Sequence, residues 1–270
     1  MKHTNQLLLA NLLLVVLFFT SCTSKQAEWT DLLDENLTQW RTYLSFVNMT
    51  STGEPALNED GTVPTPIGYD VNQDNVFSVI KENDELVLSI TGKIYGCIVT
   101  KQSFKNYHLQ LQYKFGSAKY PPRENKAMDS GILYHSRGEA GVHWHTWMTS
   151  QEFQVMETNP GGEGISGDYY SMGAQVNLVG DETVKSRYPA LGDFTNPVHE
   201  WTTLDLYCYE GKSLHIVNGR LAMALENSSY KEGTEVFPLV EGKIQLQSEA
   251  AEVYFKNIKI QSISELPKVQ

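Results

Sequence analysis

An all-β fold, two antiparallel sheets packed as a jelly-roll sandwich, is the class this sequence predicts, on three observations. Short runs of strand type recur along the chain, Gly, Asn and Asp punctuate them, and no long segment carries a helical period. The runs are VFSVI, ELVLSI, GCIVT, YHLQLQYKF, GILYH, EFQVME, GAQVNL, TTLDLYCYE, SLHIVNG, GKIQLQ and VYFKNIKI. In YHLQLQYKF, Tyr107, Leu109, Leu111, Tyr113 and Phe115 take one face, and His108, Gln110, Gln112 and Lys114 the other. A period of two buries one side of a sheet and wets the other; where a sheet curves, the wet side becomes a cleft. Asn218-Gly219, between SLHIV and RLAMAL, is a hairpin turn of the kind that needs positive φ. Two stretches break the rhythm, Gly116–Asp129 with Tyr120-Pro121-Pro122-Arg123 and Pro160–Ser171 with its four glycines. Such loops on a rigid scaffold are where function tends to sit, with plain turn-making as the alternative. The polar segment Asn48–Asp74 reads as a further loop.

The 270 residues, 41% hydrophobic, suit one sandwich domain, and no repeat or second domain boundary is evident. A formal charge of −11 without any basic cluster argues against a nucleic-acid surface, because phosphate neutralisation needs concentrated Lys and Arg. At the start, Lys2 and His3 precede the apolar run Leu7–Phe19, and Thr20-Ser21-Cys22 follows. That run is too short to span about 30 Å of hydrocarbon but suits a signal-peptide core. The ending FTSC resembles a bacterial lipoprotein processing site with Cys22 lipidated; a plain signal peptide or a short uncleaved anchor are the alternatives. The expected division is a leader over residues 1–22, a tether over 23–27, the domain over 28–262 and a tail over 263–270. The expected location is the cell envelope, membrane-anchored through Cys22 and facing the periplasm, since Thr23-Ser24-Lys25-Gln26 adds no acidic run. Cys97 and Cys208 each lie in a strand-like run, so a disulfide and two buried thiols both fit.

Chemistry concentrates between positions 135 and 157. On a regular strand Glu152 and Gln154 share a face, and Glu157 joins them only if an extra residue bulges the strand. So bulged, two carboxylates and an amide would look onto one wet face. The spacing is that of the acid ladder in jelly-roll glucanases, but Gln154 stands at its centre where an Asp would be needed. An ordinary solvated strand face is the bland reading. Trp144 and Trp147 nearby offer platforms for sugar rings or, equally, core. His143 and His145, at i and i+2, could ligate one metal or be surface histidines, and His135 ends a strand.

DSGILYH, WMTSQEFQVME, SGDYYSMGAQVN, HEWTTLDLYCYEGKSLHIVNGR and GKIQLQSEAAEVYFKNIKI together resemble the successive motifs of the 3-keto-disaccharide hydrolase domain family, across roughly residues 28 to 262. The opening EWTDLLDENLTQW matches the family's start loosely, keeping Leu33-Asp34 and Trp40. Near the C-terminus many members read LQ-x-H-G, where this chain has Gln247-Ser248-Glu249-Ala250. The resemblance implies an exported bacterial protein with a concanavalin-like jelly roll, acting on a sugar already oxidised to a ketone at carbon 3. A base then removes the acidified proton on carbon 2, the glycosidic oxygen leaves, and water adds. It implies Glu152 or Glu157 as base or metal ligand, His135 as ligand or acid, and Gln154 as the group positioning a hydroxyl. A divalent metal ion on His135, Glu152 and Glu157 would be the electrophile. Arg123, Asp129, Trp144, Trp147, Asp168, Tyr169, Gln247 and Glu249 form the expected substrate-binding set. The expected partners are the glycan substrate, the membrane, and an upstream sugar 3-dehydrogenase that supplies the ketone. Rival readings are a lectin-like binding module, a conventional glucanase, and a structural envelope lipoprotein.

Overall fold

The computed structural model describes residues 28–158 and 164–269; the leader, the tether and Cys22 lie outside the described residues. Alternation sets the layering. Tyr107–Lys119 runs between Thr202–Tyr209 and Ala251–Ser262 in a ten-stranded antiparallel sheet. It turns Tyr107, Leu109, Leu111, Tyr113 and Phe115 inward, where they meet Ile132, Tyr134, Phe153 and Val155 of a nine-stranded sheet. Each fully buried aliphatic or Phe side chain contributes about 1.5–3 kcal/mol, so this shared interior holds the sandwich together. Among the described residues the only helical turn is the 3-10 segment Gln73–Asn75. Asn218-Gly219 makes the expected tight hairpin: φ is 48° and 75°, and Val217 pairs with Arg220.

Several strands carry no clear alternation and escape a reading by pattern. They include Trp40–Leu44, Tyr169–Met172 and Arg187–Tyr188. Asn48–Asp74 is largely irregular, as expected, but adds the short strand Gly68–Tyr69 at the sheet edge. Cys97 and Cys208 are both buried free thiols, one in each sheet.

The nine-stranded sheet positions the site. Its central strands are Tyr169–Met172, Thr149–Met156, Asp129–Arg137 and Glu241–Ser248, in that order. Along Thr149–Met156, Phe153 and Val155 enter the core, so Glu152, Gln154 and Met156 face away from the other sheet. The expected bulge before Glu157 is not there, because the register against Asp129–Arg137 runs unbroken from Gln151 to Met156. The extra residue sits on the neighbouring strand. Thr149 pairs with Arg137 and Gln151 with Tyr134, three steps against two, and His135 takes φ of 51° at that point. The same shift recurs against Glu241–Ser248, where Lys243 pairs with Ser136 and Gln245 with Leu133. This bulge turns His135 into the interior.

Candidate active site

Outward-facing residues of the central strands form the floor of a cavity of about 470 Å³, walled by loops on either side. Asp129, Glu152, Gln154, Gln247 and Glu249 bring acids and amides to it, and Tyr95, Met156, Tyr170 and Met172 bring apolar surface. Arg123, Arg187, Met49, Gly53, Trp144 and Trp147 also line it, with Ser171 and Ser186.

Gly131 makes the floor possible. It lies opposite Gln154 in the register, and a Cβ placed on it would come 2.5 Å from an oxygen of Glu152 and 2.5 Å from Oε1 of Gln247. The bare Cα leaves room for the acid and the amide to close over that point, where a Cβ would push both side-chain ends aside. Glu152 is 3% exposed. Burial pushes its carboxyl well above the ordinary 4.5, the negative charges of Glu249 and Asp129 push the same way, and the nearby Gln247 amide eases the shift. Burial therefore favours the protonated, neutral form of this side chain over the ionised one. Burial likewise raises the half-buried Glu249, against the pull of the Arg123 guanidinium. Arg123 is pinned by Asp129 at 2.6 Å. Gln247 lies beside Glu152 and is 1% exposed, yet neither its Nε2 nor its Oε1 completes a hydrogen bond of normal geometry. A buried amide left open in this way is a reserve of donor and acceptor capacity facing the cavity. Gln154 accepts the Val155 N–H at 3.1 Å through Oε1, which leaves its NH2 for a ligand.

The structure separates the expected residues. Glu152 and Gln154 line the cavity, together with Arg123, Asp129, Trp144, Trp147, Gln247 and Glu249. Glu157 does not, because without a bulge its odd position falls on the other side. Its Oε2 accepts the Met128 N–H at 2.9 Å, and its own N–H donates to the Met128 carbonyl at 2.9 Å, so it clamps the strand end. His135 lies between the sheets, edge-on to Tyr107 and Tyr134, with Nδ1 3.3 Å from the Gln151 amide. Burial lowers its pKa to about 4, opposed by the Leu239 backbone. Asp168 is buried behind the cavity wall, accepting from Arg187 at 2.9 Å and from the Ala190 N–H at 2.8 Å; it holds Arg187 in place. Tyr169 points inward against Tyr188.

His135, Glu152 and Glu157 thus lie in three separate environments and do not form the expected metal set. His143 bonds Thr149 and His145 bonds Glu54, so that pair does not converge either. Among the described residues no group of three or more His, Cys, Asp or Glu is arranged to hold an ion. Tyr95, Tyr170 and Arg187 are cavity residues that sequence reasoning missed. The first precedes a strand and the third sits on an unpatterned one, while Tyr170 follows from simple alternation after inward Tyr169.

At the rim, His143–Thr146 form a tight turn in which the Thr146 N–H donates to the His143 carbonyl at 3.0 Å. Both central residues, Trp144 (φ 51°) and His145 (φ 52°), are in the left-handed region. Such turns favour Asn-Gly, and each non-glycine residue held there costs on the order of 1–3 kcal/mol. Buried Trp147 seats the turn on a cluster with Tyr43, Leu133 and Met172.

The profile of the 3-keto-alpha-glucoside-1,2-lyase-like domain matches residues 28–261. A candidate glycosyl hydrolase from Parabacteroides distasonis has a similar fold, with a TM-score of 0.52 and 18% identity over 87% of this chain and 100% of that one. A second from the same organism has a TM-score of 0.49 and 20% identity, covering 87% and 94%. A β-glucanase of Bacillus licheniformis has a TM-score of 0.48 and 9% identity, covering 89% and 99%. No curated protein matches the chain.

Proposed function

The chain belongs to the 3-keto-alpha-glucoside-1,2-lyase-like family, a carbohydrate-active group, and from that premise we propose that it cleaves 3-keto-glycosides by elimination and hydration. The observation that carries this reading is the cavity floor: a buried Glu152, whose protonated form burial favours, beside a second carboxyl, Glu249, and an open Gln247 amide. A retaining glycosidase needs one carboxylate ionised as nucleophile, and the ladder position that would tune it is the amide Gln154. An elimination instead needs an acid, a base and a donor for an enolate oxygen, three groups the floor can supply.

Glu249 removes the proton from carbon 2. The electron pair, held first on the enolate, makes the bond between carbons 1 and 2 double as the glycosidic oxygen departs, and Glu152 gives that oxygen its proton. Gln247 Nε2 and Arg123 hold the oxygen on carbon 3 while it carries negative charge. Water then adds to carbon 1, losing its proton to Glu152, and Glu249, its carboxyl proton exchanged with solvent while the aglycone departs, protonates carbon 2. Both carboxyls end as they began. Gln154 binds a ring hydroxyl, and Tyr95 packs beside Glu249. The ketone must come from an oxidoreductase acting on ring carbon 3 of the same glycan. The leader ending at Cys22 supports an envelope setting for that chemistry.

Mass-spectrometric product analysis tests the reading. With 3-keto-glucosides the expected products are the free 3-keto sugar and the aglycone, and unoxidised glucosides should remain intact. Release of reducing ends from an unoxidised β-glucan would favour a glucanase, and saturable binding without product a lectin.

A further inference from the structure

The cavity is larger than one sugar. A hexose of twelve heavy atoms fills roughly 200 Å³ at interior packing density, against about 470 Å³ here. At its floor lie buried Glu152 and Gln247 and half-buried Glu249, the groups that serve carbons 1 to 3 of the reacting ring. The remaining space runs to the mouth, where Trp144 stands 61% exposed.

An indole so exposed is held in place from several directions. A Cβ on Gly53 would lie 2.6 Å from Cε3 of Trp144, so the six-membered ring rests on the bare Cα of that glycine, itself at φ 79°. The next residue on each loop reinforces the contact: His145 Nε2 meets Glu54 Oε2 at 2.8 Å. Ser45 Oγ donates to the His145 carbonyl at 2.7 Å. One side of the indole is spent on Gly53, and the rest is open beside the cavity. The left-handed conformations at Trp144 and His145 are what bring it there. Nothing in a two-residue turn calls for an aromatic at this position, whereas a flat apolar face at a sugar-sized cavity does.

We propose that Trp144 is the platform for the ring on the leaving side of the scissile bond. The site therefore selects glycosides whose aglycone presents a flat apolar face, a second pyranose or an aryl group, over small alkyl aglycones. This rests on the reading of the cavity floor given above. With carbons 1 to 3 of the reacting ring at the buried floor, the aglycone on carbon 1 takes the space toward exposed Trp144.

Steady-state kinetics of wild type, Trp144→Ala and Trp144→Phe on a 3-keto-disaccharide and on methyl 3-keto-glucoside test it. In Trp144→Ala the ratio of kcat/KM between disaccharide and methyl glycoside should fall at least tenfold, chiefly through KM, and Trp144→Phe should recover most of it. An unchanged ratio, or failure of Phe to recover it, overturns the proposal. If wild type turns over no 3-keto-glycoside, the floor reading fails separately. Calorimetric titration with the unoxidised disaccharide and methyl glucoside then decides. A wild-type preference for the disaccharide that is lost in Trp144→Ala supports the platform, and equal affinities in wild type overturn it.

Discussion

Two groups of buried polar side chains flank the Thr149–Met156 strand, one on each face, and burial drives them in opposite chemical directions. Between the sheets, Gln151 donates to Ser228 of the opposite sheet at 2.6 Å. Tyr134 meets Ser213 at 2.9 Å and His215 at 3.0 Å, and His215 Nδ1 lies 3.1 Å from the Gly167 carbonyl. Burial lowers His135 to about 4 and His215 to about 3, so both rings are neutral there. His135 Nε2 and Gln151 Oε1 lack partners, but neither residue lines the cavity. On the outer face burial raises Glu152 and Glu249, and like charges add to the shift at Glu152. A shifted pKa is therefore not what separates chemistry from structure. The difference is whether the shifted group borders a space that a substrate can enter.

The largest expected contrast is between Glu152 and everything behind it. Glu152→Gln should lower kcat on a 3-keto-glycoside by about 10²–10⁴, the range of a lost general acid. Its effect on stability should run the other way. Because the folded carboxyl binds its proton more tightly than the unfolded chain does, wild-type stability falls as pH rises above the ordinary 4.5. The variant has no such proton to lose. Thermal melts from pH 5 to pH 9 should show its advantage over wild type growing with pH, and a constant gap would mean that Glu152 is ionised at rest.

The inner face is expected to answer to acid instead. Each histidine is neutral in the fold and binds a proton when unfolded, so stability is full above pH 6.5 and is lost as pH falls toward 4 and 3. The loss is on the order of 3 kcal/mol for His135 and about 5 kcal/mol for His215. His135→Leu should flatten that part of the profile in urea titrations while turnover per folded molecule stays within about threefold. A collapse of kcat in this variant would move His135 back into the chemistry.

Smaller effects sharpen the boundary. Glu157→Ala removes the acceptor for the Met128 N–H and should cost about 1 kcal/mol, with turnover retained. Loss of turnover matching that of Glu152→Gln would put Glu157 in the site. Smallest of all, Ala250 sits at φ 56°, where a glycine is relaxed. Ala250→Gly should stabilise by about 1 kcal/mol, a melting shift of roughly 2–4 °C.

The strands were legible because a period of two is a local signal, as YHLQLQYKF shows: its five apolar residues all enter the core. The same period was enough to pair Glu152 with Gln154. What it does not carry is the bulge. No residue type around His135 announces positive φ, so the irregularity was expected in the wrong strand, and Glu157 and His135 were assigned with it. The other half of the floor comes from Gln247 and Glu249, brought in by pairing with a strand more than a hundred positions earlier. Pairing order is a tertiary outcome and leaves no mark on either segment alone. Gly131 is intermediate: a glycine inside a strand signals close approach, but not of which side chains.

Deuterium at carbon 2 tests the chemistry of the outer face most directly. Cleavage of a methyl 3-keto-glucoside in D2O, quenched early and compared with enzyme-free and Glu152→Gln samples, should yield free 3-keto sugar carrying one deuterium at carbon 2. Released sugar that keeps its original hydrogen there would mean that the bond to carbon 1 breaks without proton abstraction, and the roles given to Glu249 and Glu152 would be wrong.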